Sequence, residues 1–240
     1  VNELHLFAGA GGGILGGILL GHTTVCAVEI EPYCREVLLQ RQRDGILPKF
    51  PIWDDVKTFD GKPWRGKVDV VCGGFPCQDI STAGKRKGID GERSGLWNEF
   101  ARIIGEIRSP FVFVENSPAL LIRGIGNVLG DLAELGYNAK WGIVSAADAG
   151  APHERKRIWI LANSNKMGRK IYKFPKSRGS LPRHWVDFPK PIELNAESEI
   201  LRISNGMANW MDRLAAIGNG QVPAVAAMAW NILTASLETK

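Results

Sequence analysis

An apolar run, ELHLFA (residues 3–8), passes directly into glycines at Gly9, Gly11, Gly12 and Gly13, and a helical apolar stretch begins at Ile14. A strand that turns through glycines into a helix constrains the fold more than any other feature of the chain. The pattern then repeats with other turn residues. TTVCAVE (23–29) reads as a second strand and PYCREVLLQRQ (32–42) as a helix. VDVVC (68–72), rich in β-branched residues, predicts a buried strand. SGLWNEFARIIGEI (94–107) has helical spacing behind a serine cap, FVFVEN (111–116) is another strand, and 119–135 reads as helix. YNAKWGIVSA (137–146) and RIWILAN (157–163) predict two late strands that pair. Strands alternating with helices imply an α/β fold, its mostly parallel sheet covered by helices on both faces.

After residue 164 the pattern breaks up into Pro, Gly, Lys and Arg. Helical apolar spacing returns from Arg213, interrupted by GNGQVP (218–223). The expected division is a main domain over 1–164, a small lobe over 165–206, and a segment over 207–240 that returns to the main domain. Charge sets the small lobe apart. Residues 165–190 carry eight Lys or Arg and one acid, Asp187, for a net +7. The whole chain carries +5, so the remainder is near −2. A localised basic stretch suits a polyanion, and a solvated lysine-rich loop is the plainer explanation.

Composition excludes some classes. With 240 residues, 45% hydrophobic and 23% charged, the chain has the make-up of a globular protein with a substantial core. No apolar run approaches a membrane span, and the N-terminus lacks the pattern of a secretion signal, so the expected compartment is the cytoplasm. Cys26, Cys34, Cys72 and Cys77 form no C-x-x-C pair, and His5, His22, His153 and His184 are scattered, so no metal site is expected. Cys26 and Cys72 lie in apolar runs and read as buried free thiols.

Cys77 is different. It follows Pro76 in GGFPCQDIS (73–81), just beyond the VDVVC strand. Ligands of open α/β sheets bind beyond the carboxyl ends of strands. Glu115, after four apolar residues of FVFVEN, falls at the same kind of edge. A thiolate nucleophile and a carboxylate able to share a proton can therefore converge beside the glycine loop. In HERKRIWIL, an extended segment would point Arg155 and Arg157 to one face and Lys156 to the other. The two arginines could then grip a carbonyl oxygen, a carboxylate or a phosphate. Gly11, Gly13 and Gly16 match G-x-G-x-x-G, and Glu29 closes the second strand where an acid suits a ribose diol. On these residues NAD and S-adenosylmethionine are both admissible.

At this point the chain resembles the DNA cytosine-C5 methyltransferases. FAGAGGG resembles that family's cofactor-binding motif, GGFPCQDIS its catalytic Pro-Cys motif and ENSP its Glu-Asn motif. HERKRIW resembles its Gln-Arg-x-Arg motif and AIGNGQVP its final Gly-Asn motif. The order is the family's, over residues 4–235, with one variable gap where the family keeps its target-recognition region. The resemblance implies a Rossmann-like methyltransferase fold with a small target-recognition lobe, acting as a monomer on double-stranded DNA. Cys77 would attack C6 of a flipped-out cytosine, Glu115 with Asn116 would serve the base, and Arg155 and Arg157 would hold its O2 and the catalytic loop. S-adenosylmethionine would lie on Phe7, Gly9, Gly11, Gly12, Glu29, Ile30, Asp55, Pro76, Leu96, Asn219 and Val222. DNA would be met by Gln78, Ser81, Lys85, Arg86 and Lys87, the last three in a loop (84–95) expected to close over it. Arg169, Arg178 and Arg183 would read bases. Ser117, His153 and Lys156 depart from the family's usual residues and leave the five catalytic positions intact. A nicotinamide oxidoreductase would explain the glycine loop and Glu29 but gives Cys77 and the arginines no role. A non-catalytic DNA-binding relative would have no need of Cys77 with Glu115.

Overall fold

The computed structural model describes residues 1–76, 95–165 and 220–238, with side chains to 235. Among the described residues, seven strands form one sheet in the order β3-β2-β1-β4-β5-β7-β6. The strands are β1 (Asn2–Leu6), β2 (Thr23–Val28), β3 (Ile52–Trp53), β4 (Val70–Gly74), β5 (Phe111–Asn116), β6 (Tyr137–Val144) and β7 (Arg157–Ser164). β1 to β5 are mutually parallel, while β7 runs antiparallel to both β5 and β6. The helices are α1 (Gly12–Leu19), α2 (Pro32–Arg43), α3 (Leu96–Ile107), α4 (Leu120–Arg123), α5 (Ile125–Glu134) and α6 (Pro223–Glu238). No helix among the described residues is long and apolar enough to cross a membrane.

The apolar runs follow from burial on both faces. Val71, Val112, Val114, Ile158 and Ile160 pack with Phe100, Ile103, Ile104 and Ile107 of α3 and Val128 and Leu132 of α5. The alternate residues Val70, Cys72, Phe111, Phe113, Trp159 and Leu161 pack against Val225, Ala229, Trp230 and Leu233 of α6. A strand covered on both sides has no polar position to spare, so it reads as a run and not as an alternation.

β1 departs from this. Leu4 and Leu6 join the α3 side, but Glu3 and His5, on the other face, are charged or polar and almost fully buried. His5 Nε2 lies 3.0 Å from Glu3 Oε2, and His22 Nδ1 lies 2.8 Å from Oε1. The Cys72 thiol also hydrogen-bonds to Glu3. Burial raises the proton affinity of Glu3, but the bonds to His22 and His5 outweigh it and pull the carboxyl down to about 2. The Cys72 thiol moves well above its ordinary range, through burial first and then the Glu3 charge. Glu3, His5 and Cys72 hold their ligand atoms within 4.8 Å of one another, a spacing that could hold a metal ion. Here those atoms already answer each other in a closed hydrogen-bond network, which the scattered histidines of the sequence did not suggest. Cys26, Cys34 and Cys72 are buried.

Several sequence-based boundaries shift. The stretch 119–135 is two helices, because Gly124 is extended (φ 174) and both ends α4 and begins α5. Gly95 (φ 147, ψ 153) precedes α3 and makes no side-chain cap bond; Ser94, expected as the cap, lies outside the described residues. β4 runs two residues past its expected end, through Gly73 and Gly74. β3 has two residues, too short a segment for an apolar pattern to show.

Candidate active site

In this strand order the chain switches direction between β1 and β4, and a crevice opens beyond their carboxyl ends. The glycine loop leaves β1 there, and Phe75 and Pro76 leave β4 beside it. Because β2, β3 and β5 are parallel to them, Glu29, Asp55 and Glu115 arrive at the same edge. β7 is antiparallel, so its first residue, Arg157, is the one that reaches that edge.

One half of the edge is built on backbone. Glu29 is buried; its Oε2 accepts from Gly9 N at 2.6 Å and its Oε1 from Glu31 N at 2.8 Å. The carboxylate thus ties the glycine loop to the end of β2. Phe7 (φ 53) and Gly9 (φ +54) turn the chain, and a Cβ added at Gly9 would meet nothing within 4 Å. The later glycines serve the protein's own packing. A Cβ at Gly12 would collide with the Gln221 carbonyl, one at Gly16 with Ala226, and one at Gly17 with Glu3. All three glycines of the G-x-G-x-x-G match, Gly11, Gly13 and Gly16, are packed against the protein, and the open position is Gly9, before the match. Ile30 and Trp53 present exposed apolar surface around Glu29, at 59% and 47%. Asp55 is half-buried; its Oδ1 accepts from Lys57 N, and Arg102 secures the same turn by donating to the Val56 and Phe59 carbonyls.

The other half is built on side chains. Glu115 is 8% exposed, and Arg157 Nε lies 2.8 Å from its Oε1. Burial raises the Glu115 carboxyl above its ordinary value; the charges of Arg157 and Arg155 and hydrogen bonds from Arg157 and Gln221 oppose the rise without cancelling it. Arg155 is lowered, by burial first and then by the Arg157 charge. The expectation of two arginines alternating along a strand is corrected here. Arg155 precedes β7 with φ 26, and its Nη2 donates to Gly220 O at 2.7 Å. Both arginines still act on Glu115, one by contact and one by charge.

Asn116 joins the halves. Its Nδ2 donates to Phe75 O at 2.9 Å and its Oδ1 accepts from Ser117 N at 2.7 Å. The end of β5 is thereby fixed to the residue before Pro76. Below it, the Phe75 ring packs against Trp97 and Phe100, and Phe7 stacks on Phe100. Leu96, at the start of α3, is partly buried against the same cluster, and Val222 against the α6 side.

The residue after Pro76, Cys77, lies outside the described residues. So do Gln78, Ser81, Lys85, Arg86, Lys87, Arg169, Arg178, Arg183 and Asn219, together with all but the first residue of the expected lobe 165–206. Gln221 was not singled out from the sequence. GNGQVP was visible as a motif, but nothing in its spacing says which side chain turns inward.

The family model for C-5 cytosine-specific DNA methylases matches residues 1–213. The chain belongs to this family. Among methylase relatives, it is 36% identical over 166 residues to the type II methyltransferase M2.BsuMI of Bacillus subtilis, covering 66% of this chain and 41% of that protein. It is 31% identical over 199 residues to the type II methyltransferase M.DsaV of Dactylococcopsis salina, covering 81% of this chain and 51% of that one. The chain thus spans about half the length of the curated relatives it matches. Among solved structures, the S. pombe Dnmt2 methyltransferase shares the fold, with a TM-score of 0.56 at 24% identity over 70% of this chain and 52% of that chain. The methylase fold accounts for the seven-stranded, mostly parallel sheet.

Proposed function

We propose that this chain transfers a methyl group from S-adenosylmethionine to C5 of a flipped-out cytosine in double-stranded DNA, through a covalent adduct on Cys77. One observation carries the reading: the glycine loop with Glu29, the segment ending at Pro76, and the Glu115–Arg157 pair all sit on one edge of the sheet, at its switch point.

S-adenosylmethionine, when bound, supplies an electrophilic methyl group. Glu29 with Phe7, Gly9, Gly11, Gly12, Ile30 and Asp55 would hold it, with Pro76, Leu96, Asn219 and Val222 around the rest. The fit is supported by open space over Gly9, a buried carboxylate beside it and exposed apolar surface at Ile30 and Trp53. The site residues then do the following. Cys77 adds through its sulfur to C6 of the base, which makes C5 electron-rich. Glu115, with its raised proton affinity, shares a proton with N3 as charge develops on the ring. Arg157 keeps Glu115 aimed, and Arg155 adds positive charge nearby. After C5 has gained the methyl group it loses its proton, and the Cys77 thiolate leaves, giving 5-methylcytosine. C6 is hidden in a duplex, so the base must leave the stack first. The basic segment 165–190 supplies phosphate contacts, with Arg169, Arg178 and Arg183 as candidates for reading guanine.

The test is DNA carrying 5-fluorocytosine at the target, incubated with S-adenosylmethionine. Fluorine cannot leave as a proton does, so the adduct should persist and map to Cys77. An adduct on Cys72, or none on a preparation that methylates ordinary DNA, overturns the assignment.

A further inference from the structure

Gln221 stands where three parts of the site meet. Its backbone carbonyl lies so close over Gly12 that a Cβ there would collide with it. Its Oε1 faces Gly13, 2.5 Å from where a Cβ would stand. Its Nε2 lies on the Gly74 side, 3.3 Å from the Cβ position of that residue, and Glu115 Oε2 lies 2.5 Å from the same point. The Gln221 side chain hydrogen-bonds to Glu115. The preceding carbonyl, of Gly220, is held by Arg155. α6 begins two residues later and packs on the sheet through Val225, Ala226 and Ala229.

These contacts leave little freedom. Arg157 fixes only Oε1 of Glu115. A carboxyl held at one oxygen can still rotate its plane. A second donor on the Oε2 side fixes the plane, and an amide does so without adding charge to a site that already holds two arginines. Gly74 keeps that side free of any Cβ.

We propose that Gln221 is a positioning residue for methyl transfer: its amide holds the plane of the Glu115 carboxyl toward the base, and its contact with Gly13 ties that orientation to the glycine loop. The inference rests on the reading of Glu115 as the group that meets the base. Among the described residues, the groups facing Glu115 are Arg157 on β7, Arg155 before it and Gln221 before α6. The hydrogen bond from Gln221 favours the charged carboxylate, so its loss should raise the proton affinity of Glu115 further.

The experiment compares Gln221→Met and Gln221→Glu with the parent in single-turnover methyl transfer across pH. Gln221→Met keeps the length and removes the donor. It should slow the chemical step about tenfold, as loss of a hydrogen bond to a charged group does. It should leave S-adenosylmethionine affinity largely unchanged, and move the Glu115-dependent limb of the pH profile upward. Gln221→Glu should be slow at neutral pH and recover as pH falls, because a protonated acid can donate in place of the amide. It reads the same contact if the methionine variant does not fold. A parent-like rate and pH profile in a folded variant overturns the proposal, as does an equal loss of rate and cofactor affinity with no shift in pH. Glu115→Gln is run alongside: if it keeps the parent rate, the reading of Glu115 fails by itself, whereas full loss there with a parent-like Gln221→Met sinks only the positioning role.

Discussion

Two buried glutamates lie at opposite ends of nearby parallel strands, Glu3 at the amino end of β1 and Glu115 at the carboxyl end of β5, and meet opposite fates. Glu3, in β1, is enclosed by His5, His22 and Cys72 and holds its charge down to about 2. Glu115, at the end of β5, faces two arginines and still has a raised proton affinity. Nearby positive charge therefore does not decide the outcome. Glu3 has close donors on both oxygens inside the core, each a short hydrogen bond. Glu115 has one ion pair and one neutral donor, and burial outweighs them. A carboxylate whose donors outweigh its burial acts as mortar; one whose donors fall short of its burial keeps an appetite for a proton.

The comparison breaks most visibly in catalysis. Glu115→Gln should lower single-turnover methyl transfer by roughly 10²–10³-fold, the usual effect of removing one group that stabilises developing charge. Its melting temperature should stay near that of the parent. A rate within a few-fold of the parent would mean that both glutamates are structural.

Glu3→Ala should do the reverse. It strands His5, His22 and Cys72 in the core, and should cost about 3–5 kcal/mol in denaturant titration. Protein that remains folded, saturated with DNA and cofactor, should keep its chemical rate. If stability is unchanged, the network does not hold β1 in place.

The pH dependence separates the two next. Glu3 is depressed from 4.5 to about 2, so the unfolded chain binds the extra proton between those values. The stability from Glu3 is present above pH 4.5 and is lost as pH falls toward 2. Glu115 is raised, so the folded chain binds the extra proton just above the ordinary value, and stability falls as pH rises through that window. Unfolding midpoints measured across acid pH should lose the first slope in Glu3→Gln and the second in Glu115→Gln. Identical slopes in both variants would remove the distinction.

The smallest effect is expected from Arg157→Lys. The charge stays, but the Nε contact at 2.8 Å is lost. The pH limb should move slightly upward and the rate fall a few-fold, both read in the same single-turnover series.

Much of this was legible in the sequence. β2, β4, β5 and β7 announce themselves as apolar runs because the sheet is covered on both faces there, whereas β1 carries Glu3 and His5 inside and the edge strand β6 leaves Trp141 and Ile143 exposed. Glu29 and Glu115 could be placed because each closes such a run. Arg155 and Arg157 were paired on an assumption of strand alternation, whereas Arg155 precedes the strand with positive φ; both nonetheless act on Glu115. The glycines were read as room for a ligand, and only the loop at Gly9 has that room. Gly12 and Gly16 answer Gln221 and Ala226, far away in the chain, and no local pattern carries that information. Gln221 was missed for the same reason, since its partners Gly13 and Glu115 are distant in sequence. Cys77 was singled out from the sequence alone and lies outside the described residues.

The seam between α1 and α6 has a consequence in time. Gly16 at the front of the chain fits against Ala226 some two hundred residues on. Synthesis at 5–20 residues per second separates the two by roughly 10–40 s. During that interval the glycine loop and β5 can already exist without Gln221 between them. A nascent chain would carry Gly13 and Glu115 but lack Gln221, so the contact that joins them would arrive late, after the translating ribosome has passed α6.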